Sequence, residues 1–429
     1  MLELLQYENK KCSRILMFFL FLVGFSIPFS FAFNSISIGL LFIISFFWFK
    51  KSNFYSFFKH PKSIIVIFIL FYLLQIIGVL YSENFDIALS NTIKSIVLII
   101  IPITFINISK TLDIKKVTIS IYGLIFGVFL MLFSAHINIL YKIILEDLPI
   151  SSFITFFTRV EFVKEAFVEI HPPYFGILVV FILFPVSKIR LLKNKIGNDI
   201  LIYFLVLYLI FSLYGISSFM SFILLTFFIL YKLVYLVKNG IKINAFILIT
   251  TACTILILVS FFYNKPISDF GGGSLINRIN WMLVKGKGDT SRPHNWNSVI
   301  DVIQGNLIVG IGSDGGIQQL QIRRDQKSES FINKHNAHNQ YLEIFLRHGL
   351  LGFFIYMYLL FSLIKKSLRF KNENFKWFLL VFLISSITES YLQRQIGITF
   401  FTFYAVLYIT FYNFETNNFS ITNEKSFGT

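Results

Sequence analysis

A chain of 429 residues has room for two or three soluble domains, but 56% hydrophobic residues, 55 Phe and only 14% charged residues, with a mean hydropathy of +0.73, describe a polytopic membrane protein. A soluble core of this size would need a charged surface, whereas a bilayer accepts apolar side chains directly. The net charge of +16 does not imply nucleic acid as a partner, because most of it falls in short loops between apolar segments, where it sets orientation.

In chain order, Lys10, Lys11 and Arg14 flank a first apolar run from about Ile15 to Phe33. No small-x-small cleavage site follows it, so it reads as a span. Apolar runs near the ~20 residues needed to cross the hydrocarbon core predict an all-α fold with about twelve transmembrane helices. Their centres fall near residues 24, 42, 72, 99, 128, 180, 207, 226, 253, 357, 384 and 404. One long apolar stretch must turn near Tyr214-Gly215-Ile216-Ser217.

Lys and Arg crowd alternate connections: 50 to 62, 108 to 117, 188 to 199, 232 to 244 and 365 to 376. The connections after Tyr81 and Tyr214 carry none, and the one after Tyr391 carries Arg394. That asymmetry predicts both termini in the cytoplasm, with 139 to 171 and 263 to 348 on the outer face. The chain thus divides into nine spans over 1–262, a large outer loop over 263–348, three spans over 349–412 and a cytoplasmic tail over 413–429. Cys12 and Cys253 offer no disulfide to an exposed loop.

The 263–348 loop is far longer than an ordinary connection, and such loops tend to be functional. Within it, Arg292 to Trp296 precede Val299, Ile300 and Ile303 at helical spacing, with Gly305 as a stop. This predicts a short amphipathic helix lying at the membrane interface. Gly310-Ile311-Gly312-Ser313-Asp314-Gly315 matches G-x-G-x-x-G without the βαβ context of a dinucleotide site. It is either a tight glycine turn or a set of backbone amides facing an anion.

The segment 333 to 352, NKHNAHNQYLEIFLRHGLLG, predicts a helix from Asn336 as N-cap to His348, with Gly349 as its stop. At 100° per residue His338, Leu342, Phe345 and roughly His348 share one face, while Glu343 and Arg347 pair on the other. His338 would sit in the first turn, where the dipole disfavours imidazolium and leaves a competent general base. The plainer reading is a capping or interfacial histidine. A metal held by His335 and His338 needs three or four ligands, and no acidic or Cys cluster accompanies the pair, so no metal or cofactor is expected.

His338-Asn339, nine residues, then Gly349-Leu350-Leu351-Gly352 resembles the signature of the O-antigen ligase and O-antigen polymerase superfamily. Arg292 with Trp296, followed by Gly310-Ile311-Gly312, resembles the family's Arg-x3-Trp helix and Gly-x-Gly turn. His171-Pro172-Pro173-Tyr174 resembles its His-Pro-x-Tyr span start. Gly78 to Asn84 leading to Lys94 and Pro102 resembles its outer entry into a span bearing a basic residue, and Glu389 to Phe400 its penultimate outer turn.

The resemblance implies a glycosyltransferase on the outer face of the bacterial inner membrane. Its donor would be a glycan on undecaprenyl pyrophosphate, and its acceptor lipid A-core in a ligase or a carrier-linked glycan in a polymerase. His338 would serve as base, with Arg292 and Lys94 holding the leaving pyrophosphate. A fixed positive charge suits that anion, although a snorkelling lysine is the plainer reading of Lys94. Where the family often has Ser-Ser-Arg or Ser-Ser-Lys, this chain has Ser217-Ser218-Phe219. Either Arg394, Arg159 or Arg278 replaces the missing cation or pyrophosphate is bound differently here; Arg159 and His171 also face the outer side, either as contacts to glycan or phosphate or as ordinary solvated loop residues. A transporter of lipid-linked sugars would instead show paired repeats and charges lining a path.

Overall fold

The computed structural model describes residues 2–51, 63–150, 152–153, 159–168, 170–216, 218–238, 292–370 and 372–426. Among them every regular element is helical. The first ten helices are α1 (Leu2–Ser26), α2 (Phe31–Ser45), α3 (Ile64–Leu80), α4 (Phe85–Lys94), α5 (Val97–Ile108), α6 (Ile114–Leu145), α7 (Arg159–Lys164), α8 (Pro172–Val186), α9 (Lys195–Ile216) and α10 (Phe219–Lys238). There follow three shorter helices, α11 (Arg292–Gly305), α12 (Ile317–Arg323) and α13 (Glu329–Ile332), and then α14 (Gln340–Phe370), α15 (Glu373–Ser385) and α16 (Gln395–Ser426).

A helix covers every predicted span centre except residue 253, which lies outside the described residues. Six segments are long and apolar enough to cross a membrane: Phe31–Trp48, Phe85–Thr111, Ile114–Leu145, Lys195–Ile216, Gln340–Phe370 and Gln395–Tyr412. Four further apolar helices are shorter. The described residues are all-helical and the chain is a multi-pass membrane protein, and the predicted turn near Gly215 separates α9 from α10.

Local chemistry starts these helices. Asn84 Oδ1 accepts from Ile87 N at 3.0 Å, Asp113 Oδ1 from Lys116 N at 2.9 Å and Asn372 Oδ1 from Phe375 N at 2.8 Å, each satisfying a helical donor with no partner inside its own helix. Glycines bring α1 and α6 together: a Cβ on Gly24 would collide with the Ser120 carbonyl, and one on Gly123 with that of Phe21. Small residues allow this close backbone approach where water supplies no hydrophobic drive between helices.

At the centre stands α8, buried at every residue from Pro173 to Val186. Its N-terminal end, the ends of α3 and α15, and the starts of α14 and α16 meet at one end of the bundle. Above them α11, α12 and the start of α14 enclose a second, smaller apolar core of Val299, Val302, Ile303, Ile311, Leu320, Ala337 and Leu346. The apolar face of α11 therefore packs on protein, correcting the expectation of a helix lying on the membrane surface.

Candidate active site

The local turns around His338 are built by asparagines. Asn336 Oδ1 accepts from His338 N at 3.0 Å, closing a side-chain turn that carries His338 into the left-handed region at φ 45°, which is strained for a residue with a Cβ. Asn339 then caps the helix, its Oδ1 accepting from Tyr341 N at 2.9 Å and Leu342 N at 3.1 Å. The helix thus starts at Gln340, later than expected, and the N-cap is Asn339 rather than Asn336. His338 lies before the first turn, so the dipole account of its reactivity lacks its geometry.

The group that faces the His338 ring is Glu389. Its Oε2 lies 3.0 Å from His338 Nδ1, and its Oε1 accepts from Arg292 Nη2 at 3.0 Å. The Glu389 side chain is only 5% exposed, against 21% for His338 and 23% for Arg292. Burial works to raise the carboxyl, but the His338 hydrogen bond and the charges of His338, Arg292 and His171 outweigh it and hold Glu389 at about 2. An ionised carboxylate only accepts, so the facing Nδ1 carries the proton and leaves Nε2 as the basic nitrogen. A guanidinium has five donors, and Glu389 occupies one of Arg292's.

The turn carrying Glu389 is anchored on both sides. Gln340 N donates to Ser386 O at 2.8 Å, Leu392 N to Gln340 Oε1 at 2.6 Å and Asn339 N to Ser390 Oγ at 3.2 Å. From α8, Tyr174 Oη donates to Ser390 O at 3.0 Å, while Tyr391 Oη donates to Pro173 O at 3.1 Å. The central helix and the start of α14 therefore hold one carboxylate in register with the His338 ring and the Arg292 guanidinium.

Arg324, which sequence reasoning missed, ties the histidine loop to the arginine helix. This buried side chain donates from Nη2 to Asn295 Oδ1 at 2.5 Å and His335 O at 2.8 Å, and from Nη1 to Ser330 O at 3.2 Å. Asn295 Nδ2 in turn donates to Asn336 O at 2.9 Å. Burial lowers Arg324 to about 10, still charged at neutral pH. His335 stacks edge to face on His338 with ring centroids 4.8 Å apart. Burial first, then the positive charges of His338 and Arg324, hold His335 at about 4, and it is neutral at pH 7. Among the described residues no three His, Cys, Asp or Glu side chains gather in a way that could hold a metal ion.

The glycine motifs are packing devices. Gly310 and Gly312 have φ of 76° and 100°; a Cβ on Gly310 would lie 2.5 Å from the Arg347 carbonyl, and one on Gly312 2.8 Å from Gly78 O. Gly349, at φ 57°, kinks α14 between its first turns and its apolar remainder, and its Cβ would lie 2.6 Å from Val309 N. Gly352 packs on His348 and Leu74. Every amide from 310 to 316 has a partner: Asn306 O, Leu346 O, Arg347 O, Gly78 O, Ser82 Oγ, Gly312 O and Asp314 Oδ1 in order. Each is taken up within the protein, Gly316 N by the Asp314 carboxylate, which leaves the tight-turn reading.

Glu343 and Arg347 do pair, Nε to Oε1 at 2.6 Å, but both are buried rather than projecting from an open face. Glu343 Oε2 accepts from Ala337 N at 2.9 Å, and Arg347 Nη1 donates to Ser313 O. The pair thus links the residue next to His338 to the glycine turn.

Of the other predicted residues, His171 precedes α8 and its ring stands edge-on to Tyr174, centroids 5.8 Å apart. Arg394 is exposed, with Cζ 5.6 Å from the centre of the same ring. Both join the Glu389 end of the site. Lys94 is half-buried at the break between α4 and α5. Its neighbour Asn91 donates to Ser313 O at 3.1 Å, but no contact joins Lys94 to His338, Arg292 or Glu389. Trp296 is half-buried on α11. The side chains of Arg159 and Phe219, and all of Arg278, lie outside the described residues.

This is a helical membrane protein with a charged, largely buried His-Glu-Arg cluster at one end of its bundle. The family model described as O-Antigen ligase matches residues 200–357, bearing out the resemblance to the O-antigen ligase and polymerase superfamily. The match takes in Arg292, His338 and the glycine frame but stops short of Glu389. No curated protein gives a significant match to the chain.

Proposed function

We propose that the protein is an O-antigen ligase-type glycosyltransferase that moves a glycan from undecaprenyl pyrophosphate to a sugar hydroxyl of lipid A-core, on the periplasmic face of the bacterial inner membrane. The bridge from Glu389 to both His338 and Arg292, inside and beside the family-matched stretch, carries this reading. His338 Nε2 takes the acceptor hydroxyl proton as the oxygen attacks the anomeric carbon from the face opposite the leaving group. The C–O bond to the pyrophosphate breaks with inversion, and the electron pair departs with the carrier. Glu389 holds the ring and stabilises the imidazolium. Arg292, with Arg394 across Tyr174, supplies positive charge where the pyrophosphate leaves, and His171 stands beside them on the same ring; Lys94, apart from this cluster, takes no step in this reading. No metal enters these steps. The Lys and Arg distribution supports an outward-facing site with cytoplasmic termini.

The test is a reconstituted assay offering carrier-linked glycan with lipid A-core or with further carrier-linked glycan. Transfer to lipid A-core is expected; lengthening of the carrier-linked chain alone would make the protein a polymerase. His338→Ala should lower the rate by roughly 10²–10⁴, with membrane insertion intact. Wild-type transfer by that variant refutes the assignment.

A further inference from the structure

A cavity of about 300 Å³ lies between the α3–α4 turn, the C-terminal end of α11, and α12, lined by Glu83, Asp301, Asn306, Gln319, Ile322 and Arg323. Gln319 Nε2 donates to Glu83 Oε1 at 2.6 Å, and Asn306 Nδ2 donates to Val302 O at 3.0 Å. Carboxylates, amides and a guanidinium thus converge on one space. That mixture of planar acceptors and donors matches sugar hydroxyls, each of which donates once and accepts twice. Ile322, 81% exposed, adds an apolar edge suited to the C–H face of a sugar ring. Two carboxylates against one guanidinium disfavour a phosphate, in contrast to the cationic Arg292 end.

Exposed apolar side chains adjoin the residues that line this cavity. Directly after Asn306, Leu307 and Ile308 are exposed, as is Leu80 at the end of α3. Leu350 N donates to Leu307 O at 2.8 Å, and Tyr81 Oη to Val309 O at 2.9 Å, so these side chains stand beside the end of α3 and the Gly349 kink of α14, the ends of two apolar helices. A polar cavity beside exposed apolar side chains at the ends of apolar helices fits an amphiphile with a sugar head and an alkyl chain. Asp301, on the cavity wall, stands nine residues along α11 from Arg292, ~13 Å, so the cavity is a separate place from the Arg292 end.

We propose that this cavity is an accessory subsite for the uncharged or amino-bearing sugars of a membrane-anchored glycolipid, an inference that rests on the glycosyltransferase reading for its biological ligand. The test uses dodecyl maltoside, titrated below its micelle concentration into protein held in nanodiscs and read by saturation-transfer NMR on the sugar protons, with empty nanodiscs subtracted. Binding is expected, with affinity falling about tenfold in Asp301→Ala/Gln319→Ala, and dodecylphosphocholine should not displace the maltoside. Absent binding, binding unchanged by the double substitution in a protein of unaltered thermal midpoint, or equal displacement by the phosphocholine overturns the subsite. The two readings separate in the transfer assay. Maltoside binding without any transfer sinks the enzyme reading and keeps the subsite, whereas transfer without maltoside binding does the reverse.

Discussion

Replacing Glu389 with Gln keeps the shape of the side chain and removes the charge that His338 and Arg292 share. Glu389 is held at about 2 instead of the usual 4.5. At about 1.4 kcal/mol per tenfold change in proton affinity, that difference is roughly 3 kcal/mol of net attraction to its cationic partners beyond the cost of burial. If the same attraction stabilises the imidazolium formed as His338 takes the acceptor proton, Glu389→Gln slows transfer by about 10². The assay is single-turnover transfer from carrier-linked donor in proteoliposomes, beside thermal unfolding of the same preparation. The folded-state value lies below the unfolded one, so the stabilisation from Glu389 is fully present above about pH 5 and is lost as pH falls toward 2. The variant should lack that dependence. Transfer within threefold of wild type, in a protein whose stability still follows the wild-type acid profile, would refute the reasoning.

Arg324→Gln should lower the transfer rate by roughly 10- to 100-fold through misplacement of His338, with donor KM little changed and faster amide hydrogen exchange over 328–338; unchanged exchange would exclude the clamp. Gly349→Ala should lower the thermal midpoint, because it combines a left-handed backbone costing about 1–3 kcal/mol with contact against Ile308 and Val309; an unchanged midpoint would show that the kink is not required. His335 is held at about 4, below the ordinary 6.5, so its neutral form favours the fold above about pH 6.5 and that contribution fades as pH falls through 4. Acid titration of His335→Gln by thermal unfolding should show a shallower loss over this window, and a slope equal to wild type would contradict the burial argument.

Two features of the site separate what is local from what is not. The glycines at 310, 312 and 349 were legible because a turn that brings backbone against backbone excludes a Cβ, and that demand leaves a mark in the sequence. The start of the His338 helix was misplaced by several residues because Asn336 and Asn339 are both good caps. Which one caps depends on whether the intervening residues are held in a turn, and that hold comes from Glu343 and Arg324. Glu389 sat within a recognised segment, but nothing local marks one acidic residue as the partner of a histidine fifty-one positions away. Its only signal was an acid just beyond an apolar helix.

The sequence alone determined the membrane environment, the helical class, the division near Gly215, and the candidacy of His338 and Arg292, since these depend on composition, periodicity and short spacings that each residue carries with it. The tertiary structure decided that Glu389 joins the two, that Arg324 clamps their supports together, that α11 packs on protein, and that Lys94 stands apart from the cluster. Those outcomes depend on which helix ends meet. Buried tyrosine bonds join α8 to the α15–α16 turn across 216 and 218 positions, and glutamine and serine bonds join α14 to it across 52 and 51, distances over which local sequence pattern carries no geometric information.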